Sequence, residues 1–244
     1  MRTAAILVAA LVMLAGACGN DSSSSSGRAP LGSPPDPGPV PDDDGLDDAT
    51  RQRVVASTAR ISGVACGRLS VGSAFAVADD LLATNAHVIV GVDEIRVDLP
   101  DGRTLTGQPA AFDAVADLAL VRVDGAAFVP LPLGDAADDT VGALVGWEDD
   151  PRPDPTPFRI DRPVTVRIER VGASDRIERP SWLLAADVET GDSGGALVDA
   201  DGTVVGIAYA ATTRNAGVGY AVRATELQSL IAEGLPASVV VADC

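Results

Sequence analysis

Three side chains in this sequence have the types that serine-based nucleophilic chemistry requires, and they stand in a fixed order. His87 lies in Thr84-Asn85-Ala86-His87-Val88, Asp117 opens Asp117-Leu118-Ala119-Leu120-Val121, and Ser193 sits within Gly191-Asp192-Ser193-Gly194-Gly195-Ala196. A serine hydroxyl is a weak nucleophile until an imidazole takes its proton, and the imidazole needs a buried carboxylate to fix its tautomer. Flanking glycines let the chain turn tightly around Ser193 and let a substrate carbonyl approach. The N–H groups of Gly191 and Ser193 then point at a developing oxyanion, where one such donor is worth about 3 kcal/mol. Read singly, the motifs have plainer accounts: a structural histidine, a turn aspartate of the kind Asp113 offers, a polar hairpin loop. Together they favour nucleophilic catalysis. His87 is the one histidine of the chain, so a zinc site is short of nitrogen ligands and no metal or other cofactor is expected.

Short β-type runs supply the elements that must position these groups. Ser73 to Val77 and Leu81 to Thr84 read as a hairpin that delivers His87 at a strand's end, and Leu118 to Val123 reads as a strand opened by Asp117. Ile95 to Leu99 and the alternating Val164 to Ile168 are further strands, with Asp101-Gly102 and Asp201-Gly202 as turns. Many short strands with no intervening helical pattern indicate a barrel or a sandwich. Helical signals are confined to the ends. Asp47 to Ala59 starts with acids and continues through Val54, Val55 and Ala56. From Ala224 to Glu233, Leu227, Leu230 and Ile231 share a face, and Gly234 and Pro236 stop the helix. Trp147 to Pro163 carries five prolines and several charges and reads as a surface loop. No internal repeat stands out.

The 244 residues allow one ordinary domain or two small ones. With 46% apolar and 3% aromatic residues, the core must be built from Ala, Val, Leu and Ile. A net charge of −17 opposes nucleic-acid binding, because phosphates are repelled rather than neutralised. Arg2 followed by the apolar Ala4 to Ala17 is a targeting signal, shorter than the ~20 residues that span a bilayer. Leu14-Ala15-Gly16-Ala17-Cys18 resembles a bacterial lipobox in which Cys18 is lipidated; an ordinary cleaved secretory signal is the alternative. Residues 18–46 are rich in Ser, Pro, Gly and Asp and are expected to form a disordered tether. With Cys18 assigned to lipid, Cys66 and Cys244 remain as a pair for a disulfide in an oxidising compartment.

The His87, Asp117 and Ser193 motifs resemble those of trypsin-like (chymotrypsin-fold) serine peptidases. Among these, the chain is similar to the HtrA-like branch and to actinobacterial periplasmic proteases of the MarP type. Gly63-Val64-Ala65-Cys66-Gly67-Arg68 and the C-terminal Cys244 are part of that similarity, which covers about Ile61 to Cys244. The resemblance implies an all-β fold of two six-stranded antiparallel β-barrels, with the active site in the cleft between them. A short N-terminal helix and a C-terminal helix complete it. It further implies His87 as base, Asp117 as orienting acid, Ser193 as nucleophile, and Gly191 with Ser193 as oxyanion-hole donors. The resulting division is a signal over 1–17, a tether over 18–46 and a peptidase domain over 47–244. Within that domain the expectation is barrel 1 at about 61–135, barrel 2 at about 140–222 and the last helix at about 223–233.

The sequence departs from the family in several ways. No PDZ-like region follows the peptidase, and no multi-helix membrane domain precedes it, so a lipid anchor at Cys18 is expected to replace the latter. Asp192 stands where many HtrA-like members carry Asn. It pairs with an arginine or with backbone donors, or else the oxyanion loop rests in an inactive state. Asp187, six residues before Ser193, is either the acidic base of the P1 pocket or a solvent-facing carboxylate. Ala210 and Ala211 are expected on the pocket wall, with Gly219 and Tyr220 at its back. The expectation is an exported, anchored serine endopeptidase, monomeric, acting on cell-envelope proteins at the outer face of the membrane. A catalytically silent binding protein on the same fold is the alternative. An α/β-hydrolase esterase fits less well, since that fold has the order Ser, Asp, His.

Overall fold

The computed structural model describes residues 36–147, 153–211 and 216–242. Its first regular element is α1 (Asp48–Ala56), where the Asp47 carboxylate caps the helix by accepting the Thr50 N–H at 2.7 Å. Six strands follow: β1 (Thr58–Ala65), β2 (Arg68–Ala78), β3 (Leu81–Thr84), β4 (Ile95–Asp98), β5 (Thr104–Asp113) and β6 (Leu118–Arg122), with the four-residue α2 (Ala86–Ile89) between β3 and β4. They close a barrel in the order β1-β2-β3-β6-β5-β4. The next six are β7 (Val141–Val145), β8 (Thr156–Glu169), β9 (Arg176–Ala186), β10 (Ala196–Asp199), β11 (Val204–Ala211) and β12 (Val218–Arg223), and α3 (Ala224–Ala232) ends the fold. They close a second barrel in the order β10-β11-β12-β9-β8-β7. Counted within each barrel, that is the first barrel's order again. The repeat invisible in sequence is therefore a repeat of topology. Closure leaves neither sheet a long exposed edge.

Alternation along the strands divides the core into three parts. Ala74, Ala76, Leu82, Ala119 and Val121 face the interior of the first barrel. Leu144, Phe158, Ile160, Trp182, Leu184 and Leu197 fill the second. The opposite faces of the same strands supply Phe75, Ala83, Leu118, Leu120, Val145, Val198 and Tyr209 to a third cluster, which draws on both barrels and takes in Val54 and Leu227 from the terminal helices. Successive residues of β6 thus enter different clusters, which is why Leu118 to Val121 reads as an unbroken apolar run.

Two expectations change. The stretch from Trp147 to Pro163 was expected to be a loop, but its second half is the start of β8. Pro157 and Pro163 pair with Ala143 and Trp182. Beyond Arg159, β8 pairs with β9 alone, so Pro163 withholds an N–H only where no second neighbour needs it. The segment 18–46 was expected to be a tether throughout, yet its last residues lie on the domain. Pro37 is buried and its carbonyl accepts from Arg159, while the buried Asp44 ion-pairs with Arg51 at 2.7 Å. Pairing with arginine compensates what this acidic stretch lacks in apolar surface. The signal and the lipobox lie outside the described residues.

Candidate active site

β3 ends at Thr84, and α2 turns His87 back toward the start of β6, where Asp117 stands. Asp117 takes a positive φ of 62°, a conformation aspartate tolerates better than most residues. That conformation aims its carboxylate at α2, where it is 2% exposed. Oδ1 accepts the backbone N–H of His87 at 2.9 Å, and the ring Nδ1 lies 3.1 Å from Oδ1 and 2.9 Å from Oδ2. The carboxylate therefore grips both the backbone and the ring of His87. The Asn85 side-chain amide donates to Asp117 O at 2.9 Å, tying the two segments together once more. With Nδ1 engaged, Nε2 is the ring nitrogen left for another partner.

Ser193 comes from the other barrel and is half-buried. Its carbonyl accepts the Ser73 N–H at 2.7 Å, and the Ser73 hydroxyl donates to Gly191 O at 2.7 Å. The same hydroxyl accepts the Trp147 N–H at 2.7 Å. Gly194 has φ 87°, and a Cβ there would overlap Ser73 O and Thr84 Oγ1 and lie 3.2 Å from Asn85 N. Only glycine lets the serine loop press onto the segment that carries His87. No hydrogen bond joins Ser193 Oγ to the imidazole among the described residues; such bonds commonly close only when substrate is bound.

The loop before Ser193 is held in shape by backbone contacts. Asp192 is 3% exposed; its Oδ2 accepts the Glu189 N–H at 2.8 Å and its carbonyl accepts the Gly195 N–H at 2.7 Å. A backbone donor is thus among the partners of the Asp192 carboxylate. Gly191 has φ 107°. Among the described residues, neither the Gly191 N–H nor the Ser193 N–H donates a hydrogen bond. Two unpaired donors beside a serine hydroxyl and an oriented imidazole are the parts that acyl transfer needs.

Asp187 follows β9 and is exposed. Val188 takes the inward place: a Cβ at Gly219 would lie 2.6 Å from Val188 Cγ2. Ala210 and Ala211 pair in register with Tyr220 and Gly219, which puts these positions on one stretch of the second barrel. Among the described residues no group of three or more His, Cys, Asp or Glu is placed to hold a metal ion.

Sequence reasoning missed Ser73 and Arg179. Ser73 looked like an ordinary strand residue, and its partners lie more than a hundred positions away. Arg179 was one of many arginines, yet it is 2% exposed and bonds Asp117 Oδ2 at 3.2 Å. No local pattern signals either one.

Residues 72–207 match the family model described as a trypsin-like peptidase domain, a span that includes His87, Asp117 and Ser193. The chain belongs to the trypsin-like peptidase family. Its curated relatives include a probable periplasmic serine endoprotease, DegP-like, of Halomonas elongata, 36% identical over 62% of this chain and 31% of the relative. The mitochondrial serine protease HTRA2 of Bos taurus is 33% identical over 68% and 36%. Serine protease Rv3671c of Mycobacterium tuberculosis is 29% identical over 69% and 43%. The chain thus spans between 31% and 43% of the length of these relatives. The crystal structure of the Rv3671c protease in its active form superposes with TM-score 0.75 at 25% identity, over 84% of this chain and 94% of that one. An inactive form of the same protease gives 0.67, over 77% and 93%. The trypsin-like fold and the HtrA-type kinship read from the sequence are both found.

Proposed function

We propose that the chain is an exported serine endopeptidase in which His87, Asp117 and Ser193 form the catalytic triad. The observation that carries this reading is the two-point grip of the buried Asp117 on His87, with Ser193 pressed against the same segment through Gly194. Ser193 Oγ attacks the scissile carbonyl as His87 Nε2 takes its proton, and the N–H groups of Gly191 and Ser193 receive the oxyanion. His87 then gives the proton to the leaving amine, and water, activated by the same imidazole, hydrolyses the acyl-enzyme. The N–H groups of Gly191 and Ser193, which donate to no other group among the described residues, support an oxyanion loop poised for reaction. A fluorophosphonate probe should label the wild type and fail to label Ser193→Ala. A folded, disulfide-bonded wild type that takes no label from pH 5 to 9 would favour the silent binding protein instead.

Peptide substrates would place P1 beside Gly219. Val188 over that glycine, with Asp187 turned to solvent, suits a short apolar P1 side chain rather than Arg or Lys. A peptide-library profile dominated by P1 Arg or Lys would reject this assignment. The periplasmic naming of the Halomonas relative supports export, and the lipobox-like Leu14 to Cys18 supports anchoring at the outer face of the membrane. Intact mass of the mature protein, read for a diacylated Cys18, tests the anchor. The expected Cys66–Cys244 disulfide has indirect support. Cys66 is disulfide-bonded, its neighbour Ala65 bridges Val92, and the adjacent Gly91 N–H donates to Ala242 O at 3.1 Å.

A further inference from the structure

Arg179 belongs to β9 of the second barrel, but its guanidinium is buried against the first. Nε donates to Val115 O at 3.0 Å and Nη1 to Asp117 Oδ2 at 3.2 Å, and the group lies over the Tyr209 ring at 5.1 Å from its centroid. Nη2 has no hydrogen-bond partner among the described residues. Burying a guanidinium is costly, and leaving one of its donors unpaired adds to the cost. An apolar side chain would cover Tyr209 as well, so packing alone gives no reason for a charge here.

The reason lies in the oxygen it shares. Asp117 Oδ2 bonds His87 Nδ1 at 2.9 Å on one side and Arg179 Nη1 at 3.2 Å on the other. The guanidinium and imidazole nitrogens are therefore no farther apart than those two bonds laid end to end. We propose that Arg179 is a positioning residue of the triad, which clamps the Asp117 carboxylate from behind and so keeps the His87 ring in its working orientation. This rests on the reading of His87 as general base. The clamp stops the carboxylate rotating away from the ring, since Oδ1 is held by α2 and Oδ2 by β9.

Other groups around the carboxylate do not take over this clamp. Tyr209 on β11 bonds Ser181 Oγ on β9 at 2.9 Å, and burial pushes its phenol above the usual range, so it stays neutral. Asn85 from α2's N-terminus and Ser193 from the loop before β10 carry no charge. Among the described residues no other charged side chain ion-pairs with His87 or Asp117.

The test compares wild type with Arg179→Gln, Arg179→Met and Arg179→Lys in the folded, disulfide-bonded protein. The imidazole Nδ1–H proton resonance, unambiguous because the chain has one histidine, is recorded beside kcat and KM on a peptide substrate. In the neutral variants that resonance should move or broaden as the carboxylate loses its second anchor, and kcat should fall about tenfold with KM little changed. Arg179→Lys lacks the planar fork and should recover only part of kcat. An unchanged Nδ1–H resonance in a folded neutral variant overturns the proposal. Should both neutral variants fail to fold, Arg179→Lys decides: a lowered kcat with KM held supports the clamp, and a wild-type kcat overturns it. A wild type that neither cleaves peptides nor takes a fluorophosphonate sinks the peptidase reading instead, while the Nδ1–H resonance still decides what Arg179 does.

Discussion

At Ser73 a single small side chain joins the two barrels at the point where the chemistry is proposed. Its backbone N–H holds Ser193 O and its hydroxyl holds Gly191 O, while Trp147 N–H anchors the hydroxyl in turn. Removing that hydroxyl leaves the Gly191 carbonyl without its donor and frees the peptide to turn, which spoils the oxyanion donors without touching substrate. Ser73→Ala should therefore lower kcat about tenfold with little change in KM, measured by steady-state hydrolysis of a peptide ester. Tyr209 offers a second check at this scale. Burial raises its phenol, so its contribution to stability is full below the unfolded value near pH 10 and is lost as pH rises through the folded one. Tyr209→Phe removes that titration. Alkaline unfolding followed by circular dichroism should show a shallower loss of stability in the variant above about pH 10.

Among the elements, β6 and α1 make contrasting contributions. β6 is buried on both faces, and Leu120 enters the cluster between the barrels at 0% exposure. Leu120→Ala should cost about 3 kcal/mol in urea unfolding, and it should also loosen Asp117, which starts the turn into that strand. α1 depends instead on its cap. Hydrogen bonding from the Thr50 backbone holds the Asp47 carboxyl below its usual range, and the Arg96 guanidinium at 3.0 Å does the same for Asp98 on β4. A lowered carboxyl contributes stability that is present above the unfolded value and lost as pH falls through the folded one. Asp47→Ala should then lower Tm at pH 7, and the difference from wild type should shrink below about pH 4. A Tm gap that stays constant down to pH 2 would contradict the cap. The sequence showed α1, α3 and most strands through local signals, whereas β8 was half hidden because its prolines sit where only the completed barrel makes them harmless.

For the molecule as a whole, the same strand order occurs twice, and the cluster between the barrels fixes one half against the other. The proposed Cys66–Cys244 bond would close nearly the whole domain into one loop, for which chain entropy gives roughly 5 kcal/mol as an upper figure. Reduction under native conditions should lower Tm by several degrees and leave the labelling of Ser193 intact below that temperature. A Tm unaffected by reductant would mean the bond is absent or strained. The charge of −17 has its own consequence: self-repulsion weakens the compact state at low ionic strength, and moderate salt should raise Tm.

By itself the sequence singled out the candidate reacting groups and their order, and it pointed to the family. Those depend on residue types at short spacing, and Gly191 to Gly195 or Asp117 before an apolar run carry their meaning locally. It placed the two terminal helices for the same reason, although α1 ends at Ala56 rather than Ala59 because Thr58 already belongs to β1. Only the tertiary structure decided which distant groups stand behind them. Ser73 meets Gly191 across 118 positions and Arg179 meets Asp117 across 62, contacts that exist only once two closed barrels are pressed together. The burial of Asp192 and the exposure of Asp187 likewise belong to the packed fold and have no signature in the order of residues.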